Sequence, residues 1–164
     1  MPPSSSESTG SCSNNTHLPE APKSSDEQGL SLYVHIPFCE TKCPYCDFNT
    51  YAGIEMLIPD YLKALKQEVI FWSSALEHKR VDTLFFGGGT PSLLSLSDLQ
   101  NLMECINASF EISGDAEITL EANPGDLTLE KLKGYSPLGI NRLSIGIQSL
   151  DDPLLKVLGR RHTA

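Results

Sequence analysis

The chain has 164 residues, a length that suits one domain with its own hydrophobic core. Its formal net charge of −9 repels phosphate, which argues against non-specific nucleic-acid binding, and no apolar run is long enough to cross a bilayer. The first residues lack the basic and apolar regions of a secretory signal and the arginines of a mitochondrial presequence, so we predict a cytoplasmic protein.

The first 29 residues are rich in Ser, Pro, Glu and Asn and contain almost no apolar side chains. Such a segment buries too little apolar surface to offset the entropy lost on ordering. We therefore predict a disordered polar tail over residues 1–29, without an assigned function, and a folded domain over residues 30–164.

Beyond the tail, short apolar segments rich in β-branched residues alternate with segments of helical periodicity. The predicted strands lie at 31–36, 81–86, 117–124 (a range that includes an exit loop) and 140–149. The predicted helices begin near Pro59, Leu96, Thr128 and Asp152. This alternation predicts an α/β fold with a parallel sheet and crossover helices. Because the chain stops just after a helix, with no strand to close the sheet, we expect the front part of a longer protein.

Polar or glycine-rich segments follow all four predicted strands. A cysteine loop follows the first strand, Gly87–Thr90 follows the second, Glu121 lies near the end of the third and Gln148 ends the fourth. The carboxyl ends of parallel strands meet at one edge, which is where α/β sheets bind ligands. We therefore predict a ligand site on this carboxyl-end rim.

Three of the five cysteines, Cys39, Cys43 and Cys46, have the spacing C-x3-C-x2-C. In a cytosolic chain such cysteines are metal ligands more often than disulfides, and thiolates favour iron–sulfur clusters, zinc or copper(I). A structural zinc site needs four ligands, and no fourth cysteine lies nearby. Three cysteines on a [4Fe-4S] cluster leave one iron open for a substrate, so we favour the cluster over zinc. Cys105, in a helical pattern, is predicted to be a small core residue.

The other polar residues each have two interpretations. Gly87–Gly89 suits either a tight turn or close approach of a ligand, and the phosphate-loop pattern is absent. Glu121 suits either ribose hydroxyls or a solvated edge, and the Gln148 amide needs a partner after an apolar strand. Arg160 can bind a carboxylate in bidentate fashion, and Arg161 is equally suited by its chemistry.

The cysteine spacing, with Tyr45 directly before the third cysteine, resembles the signature of the radical S-adenosylmethionine (SAM) superfamily. The segments YVHIPFC, CPYCDF, FFGGGTP, LEANP, RLSIGIQS and LGRRH narrow the resemblance to the oxygen-independent coproporphyrinogen III oxidases and the HemW haem chaperones, over about residues 31–164. The resemblance implies an incomplete parallel (β/α) partial barrel of radical SAM type with about four β/α units. It also implies a [4Fe-4S] cluster whose open iron chelates SAM and whose electron cleaves SAM to methionine and a 5′-deoxyadenosyl radical.

The resemblance also implies roles for individual residues, none of them catalytic. Cys39, Cys43 and Cys46 would hold the cluster, and the other residues would contact SAM. Tyr33 would lie near its methionine moiety, Tyr45 would flank the adenine, Gly88, Gly89 and Thr90 would contact SAM, Glu121 and Gln148 would lie on its ribose side, and Arg160 would bind its carboxylate.

The residue type at position 48 distinguishes the two branches of this subfamily. The oxidases resemble this chain but have a further cysteine two positions after the third ligand, where this chain has Phe48. This difference favours a haem chaperone, with haem or porphyrinogen, an electron donor such as flavodoxin or ferredoxin, and a haem-acceptor protein as partners. The alternatives are oxidative decarboxylation of porphyrinogen propionates to vinyl groups and, from another class, a small zinc-binding structural module.

Overall fold

The structure, a computed structural model, describes residues 29–77 and 79–164, so nearly all of the predicted polar tail lies outside the described residues. The strands are β1 (Leu30–Ile36), β2 (Phe38–Cys39), β3 (Tyr51–Ala52), β4 (Arg80–Gly88), β5 (Glu111–Ala122) and β6 (Arg142–Ile145). The helices are α1 (Ile58–Ala75), α2 (Leu96–Ser109), α3 (Leu129–Tyr135) and α4 (Asp152–Val157).

Four strands form one parallel sheet in the order β1-β4-β5-β6. A helix follows each of these strands in the chain, and three of the helices connect one strand to the next. The predicted α/β fold with four β/α units is therefore confirmed. None of the described helices combines the length and apolar composition needed to cross a membrane.

Polar side chains fix where helices α2 and α3 begin. Ser95 accepts a hydrogen bond from the Asp98 amide at 3.1 Å, and Thr128 accepts one from Lys131. These bonds satisfy amide groups that have no partner inside the helix. Helix α1 has proline in its first turn, where the missing N–H costs nothing.

The core lies between the sheet and the helices α1 and α2. Many of its buried side chains come from β4, β5 and α2, and these include Leu84, Phe86, Leu120, Leu99 and Ile106. The apolar residues of α1 and its C-terminal end pack against them, with Leu62 buried and Leu65, Val69, Trp72 and Leu76 partly buried. Burial on this scale stabilises the sheet and so fixes the ends of its strands at the carboxyl-end rim.

The two largest differences from the predicted strand boundaries are the start of β5 and the end of β6. β5 begins at Glu111 rather than 117, because Glu111 and Ile112 pair with Arg80 and Val81 ahead of an irregularity in β4. β6 ends at Ile145 rather than 149, because the chain turns there and the Ile147 amide donates to the Ile145 carbonyl at 2.9 Å.

A second sheet, which the sequence does not predict, holds the cysteine loop (residues 39–50). β2 and β3 pair in parallel through Phe38 with Tyr51 and Cys39 with Ala52. The Tyr51 amide also donates to the Pro37 carbonyl at 2.8 Å. The two ends of the loop are thereby held together beside the end of β1.

Candidate functional site

A cavity of about 350 Å³ lies at the carboxyl-end rim beside the cysteine loop. This volume is within the range of small-molecule sites. The lining comes from the cysteine loop and from the ends of β4, β5 and β6, together with Arg160 from the segment after α4. Every residue predicted for the site lines the cavity except Tyr33. The predicted residues that line it are Cys39, Cys43, Tyr45, Cys46, Gly88, Gly89, Thr90, Glu121, Gln148 and Arg160.

The cysteine loop is closed by backbone contacts and by one lysine. The Cys46 amide donates to the Cys43 carbonyl at 3.0 Å, which forms a tight turn between these two cysteines. Lys42 Nζ donates to the carbonyl oxygens of Thr50 at 3.2 Å and of Phe48 at 3.5 Å. Cys39 is buried, whereas Cys43 and Cys46 are partly exposed, so the three thiols line one side of the cavity.

Each of these three sulphur atoms has a polar neighbour. Thr90 Oγ1 donates to Cys39 Sγ at 3.4 Å. Arg160 Nη1 donates to Cys43 Sγ at 3.5 Å. Cys46 Sγ lies 4.0 Å from Thr50 Oγ1, at the limit for a hydrogen bond to sulphur. Such donors stabilise negative charge on sulphur, which is the form that binds iron.

These surroundings fit a cluster that is held by three thiolates and open on its cavity side. Three sulphurs face one open cavity, and polar groups that suit an anionic ligand sphere lie beside them. Among residues 29–77 and 79–164, no group of three or more His, Cys, Asp or Glu side chains is arranged to hold a metal ion. The three cysteines are among these side chains, so this finding bears equally on a zinc ion and on a cluster.

Close packing accounts for Gly88, which ends β4, and for Gly89, which follows it. Gly88 has φ +113°, and a Cβ atom there would lie 2.5 Å from His35 Cε1. A Cβ atom on Gly89 would lie 2.6 Å from the Phe38 carbonyl oxygen. The position next to the cysteine loop therefore requires glycine even before any ligand is considered.

Glu121 is fixed at the end of β5 by a backbone donor. Its Oε2 accepts a hydrogen bond from the Gly88 amide at 3.0 Å, and the side chain is half-buried against the cavity. A carboxylate accepts hydrogen bonds only, so it suits a ligand that presents hydroxyl groups.

Tyr33 lies outside the cavity lining, and its expected contact with a bound ligand stays a prediction. It stands within β1, before the strand reaches the rim, and its ring stacks on Phe85 with centroids 6.0 Å apart. Its hydroxyl is hydrogen-bonded to His35 Nδ1 at 3.0 Å. Partial burial, and then the charge of Glu121, raise the pKa of Tyr33 above its ordinary value.

Gln148 has an unusual backbone conformation where the chain leaves β6. Its φ is +67°, and it is the only non-glycine residue with positive φ in the described part of the chain. Left-handed backbone costs on the order of 1–3 kcal/mol for such a residue and is concentrated at functional sites. The side chain is exposed and its amide lies over Gly146, where a Cβ atom would be 3.1 Å from Gln148 Nε2. We expected a partner for the Gln148 amide, but the side chain is instead exposed at the cavity.

Arg160 connects three parts of the rim. Its Nη2 donates to the Gly146 carbonyl at 2.7 Å and to Asn123 Oδ1, and its Nη1 lies 3.5 Å from both Cys43 Sγ and the Tyr45 hydroxyl. Its Nε is buried and has no partner among the described residues. An orphaned donor of this kind is expected where a ligand or water supplies the acceptor.

Arg161 is oriented differently from Arg160, although the two are chemically alike. Its Nη2 donates to Asp126 Oδ1 at 2.9 Å, and its Nη1 donates to Glu40 Oε2. It therefore links the cysteine loop to the segment after β5 without lining the cavity. Of the two arginines, only Arg160 is placed to meet a ligand there.

Tyr45 lines the cavity beside Cys43 and is about half exposed. Burial of its hydroxyl, followed by the neighbouring Cys43 thiol, raises the pKa of Tyr45, and the Arg160 charge opposes that rise. The phenol therefore stays protonated at neutral pH and offers a flat ring to the cavity.

The sequence prediction missed five polar cavity residues, namely Thr41, Lys42, Thr50, Asn123 and Ser144. Asn123 directly follows the buried end of β5, and a polar residue at a buried strand end is the signal that pointed to Glu121. Cys105 lies on α2, is half-buried with Sγ 3.8 Å from the Lys66 carbonyl oxygen, and does not line this cavity.

Comparison with known proteins agrees with this arrangement. The model of the radical SAM superfamily matches residues 33–164. The haem chaperone HemW of Escherichia coli (strain K12) is 45% identical over 135 residues, which cover 81% of this chain and 35% of that protein. HemW of Bacillus subtilis (strain 168) is 47% identical over 133 residues, with 80% and 35% covered. The bovine (Bos taurus) radical S-adenosyl methionine domain-containing protein 1, mitochondrial, is 40% identical over 139 residues, with 84% and 31% covered.

A solved structure shares the fold. It is coproporphyrinogen III oxidase (HemN) from Escherichia coli, described as a radical SAM enzyme, with a TM-score of 0.78 and 34% identity over 83% of this chain and 32% of that one. The chain thus spans about a third of the length of the relatives it matches. Because the superfamily model covers most of the described residues, including all three cysteines of the motif, the chain belongs to the radical SAM superfamily.

Proposed function

We propose that Cys39, Cys43 and Cys46 hold a [4Fe-4S] cluster beside a SAM site, in a protein that binds haem and delivers it to acceptor proteins. The observation that supports this most is the cavity itself, in which three thiols with polar neighbours face the ends of three strands. When bound, the cluster and SAM would supply one-electron reductive cleavage of a sulfonium, for which we propose flavodoxin or ferredoxin as the electron donor.

The SAM site would use the remaining cavity residues. We assign the SAM carboxylate to Arg160, whose buried Nε lacks a partner among the described residues, and the ribose hydroxyls to Glu121 and Gln148. Gly88, Gly89 and Thr90 would border the methionine moiety, and the Tyr45 ring would flank the adenine. Tyr33 is the least supported member of this set, because it stands outside the cavity lining.

Haem delivery is proposed from the relatives and from Phe48. The most similar bacterial relatives reported above are named haem chaperones. Phe48 lines the cavity with 71% of its surface exposed, at the position where the oxidases have a further cysteine. A phenyl ring offers no thiol to redox chemistry, and its exposure suits contact with a flat apolar ligand such as haem.

Oxidation of coproporphyrinogen is the second candidate. It is favoured by the fold shared with coproporphyrinogen III oxidase at a TM-score of 0.78. In this case the same cluster and SAM site would serve decarboxylation of two propionates.

The predicted cytoplasmic location stays a prediction, and the name of the bovine relative includes the word mitochondrial.

The first experiment is anaerobic reconstitution of the chain with iron and sulfide. We expect about four irons and four sulfides per chain in the parent protein, and loss of the cluster in Cys43→Ala, because two thiolates do not retain it. Cys105→Ala is the matched control and should load as much iron as the parent. Binding of one zinc without sulfide would refute the cluster.

The second experiment separates the two candidates. The loaded protein is incubated with SAM, dithionite and coproporphyrinogen III, and in parallel is titrated with haem. Stable haem binding without turnover supports the chaperone. Protoporphyrinogen with released carbon dioxide would establish the oxidase instead.

A further inference from the structure

Asn123 lies between the polar groups that contact two of the three cysteine sulphurs. Its Nδ2 donates to Thr90 Oγ1 at 3.1 Å, and its Oδ1 accepts a hydrogen bond from Arg160 Nη2. Thr90 in turn donates to Cys39 Sγ, and Arg160 to Cys43 Sγ. One amide therefore joins the polar neighbours of the first two cysteines of the motif.

The donor and acceptor groups in this series of contacts fix the direction of each hydrogen bond. A guanidinium group donates and never accepts, so the amide atom that faces Arg160 must be the oxygen of Asn123. The NH₂ group of Asn123 must then face Thr90, whose hydroxyl oxygen accepts from it. The single hydroxyl proton of Thr90 is thereby left for Cys39 Sγ.

Asn123 itself is firmly held. Its backbone amide donates to Ser92 Oγ at 3.2 Å, and its carbonyl accepts from the Asp126 amide at 3.0 Å. The side chain is half-buried at the end of β5, where the strand is fixed by its pairing with β6. The orientation of the amide is therefore set before any ligand binds.

We propose that Asn123 is a positioning residue that aims the Thr90 hydroxyl and the Arg160 guanidinium at Cys39 and Cys43, and so favours the reduced cluster. The inference rests on the proposed cluster. Hydrogen bonds and positive charge at the ligand sulphurs stabilise the added electron and raise the reduction potential. Removing them disfavours the reduced state.

The test is a redox titration of the reconstituted Asn123→Asp variant, followed by electron paramagnetic resonance of the reduced cluster. A carboxylate still accepts from Arg160 but also accepts from Thr90, so the Thr90 proton turns away from Cys39. We expect the ratio of reduced to oxidised cluster at a fixed potential to fall by roughly three- to tenfold, where tenfold is about 59 mV for a one-electron couple.

Asn107→Asp is the charge-matched control. Asn107 is exposed near the end of α2, which leads into the start of β5 and so lies at the edge of the sheet opposite the cysteine loop. We expect the ratio of reduced to oxidised cluster in this variant to lie within twofold of the ratio in the parent protein. Equal potentials for the Asn123→Asp and Asn107→Asp variants would overturn the proposal.

Two further variants decide the question if Asn123→Asp does not retain a cluster. Thr90→Val removes the donor to Cys39 and should lower the potential, whereas Thr90→Ser keeps the hydroxyl and should restore it. Equal potentials in this pair would also overturn the role assigned to Asn123. A parent protein that binds no cluster contradicts the proposed function instead, and the two failures are thus distinguishable.

Discussion

Substitution of Gly89 by alanine tests the close approach between the end of β4 and the cysteine loop. The added Cβ would lie 2.6 Å from the Phe38 carbonyl oxygen and 2.9 Å from that of Ile36. Because real Cβ contacts stay beyond 3.0 Å, the backbone must separate by at least about 0.4 Å. The same two carbonyls accept hydrogen bonds of 2.8 Å from the Gly89 and Thr90 amides, so this movement strains both bonds.

The cost follows from these contacts. Overpacking against atoms that cannot turn aside costs about 1–3 kcal/mol, and weakening the two hydrogen bonds together adds about 1 kcal/mol. We therefore expect Gly89→Ala to lower the free energy of unfolding by about 2–4 kcal/mol in urea titrations. Because Phe38 directly precedes Cys39, we also expect less iron per chain after reconstitution.

Gly114→Ala is the matched control for this change. Gly114 lies in β5 without positive φ, and a Cβ atom added there would have nothing within 4 Å. Its replacement should leave the iron content unchanged and the stability unchanged or higher by up to about 1 kcal/mol. If Gly89→Ala unfolds and loads iron as Gly114→Ala does, the packing argument is wrong.

Two further substitutions test the cavity and the core. Glu121→Gln should weaken SAM binding in equilibrium titrations and keep the parental iron content, and loss of the cluster would contradict its assigned role. Tyr135 is buried, its hydroxyl has no partner among the described residues, and burial followed by the charge of Asp126 raises its pKa to about 12. Since its unfolded pKa is about 10, stability should be full below pH 10 and fall by about 2–3 kcal/mol as the pH rises to about 12. Tyr135→Phe should lack this alkaline loss in urea titrations at pH 8 and pH 11, and a parental pH profile would refute the assignment.

The sequence predicted the large elements because each has a local cause. The helices have apolar residues at helical spacing, and in the structure Ser95 and Thr128 cap two of them. The pairing of β2 with β3 has no such cause, because two-residue strands have no periodicity to detect. The early start of β5 escaped prediction for a related reason, since Ser113, Gly114 and Asp115 interrupt its apolar pattern.

The candidate site also has parts that the sequence predicts and parts that it does not. Motifs and strand ends led to most of the cavity lining, because residues at the carboxyl ends of parallel strands must meet. Which of two adjacent arginines faces the cavity depends on a turn: Gly159 has φ +67°, and the Arg160 amide donates back to the Leu155 carbonyl at 2.9 Å. This end of α4 directs Arg160 towards Cys43 and leaves Arg161 to pair with Asp126. Side-chain chemistry alone does not distinguish the two arginines, and only the resemblance carried by LGRRH pointed to Arg160.

Local contacts, rather than the overall charge, govern the electrostatics of the three thiols. A net charge of −9 by itself disfavours adding an electron to a cluster, but exposed charges beyond about 8–10 Å are screened at physiological ionic strength. Arg160 lies 3.5 Å from Cys43 Sγ and is half-buried, so its charge is screened far less. An acidic protein can therefore surround its cysteines with donors and a cation, and the amide of Asn123 decides where two of them point.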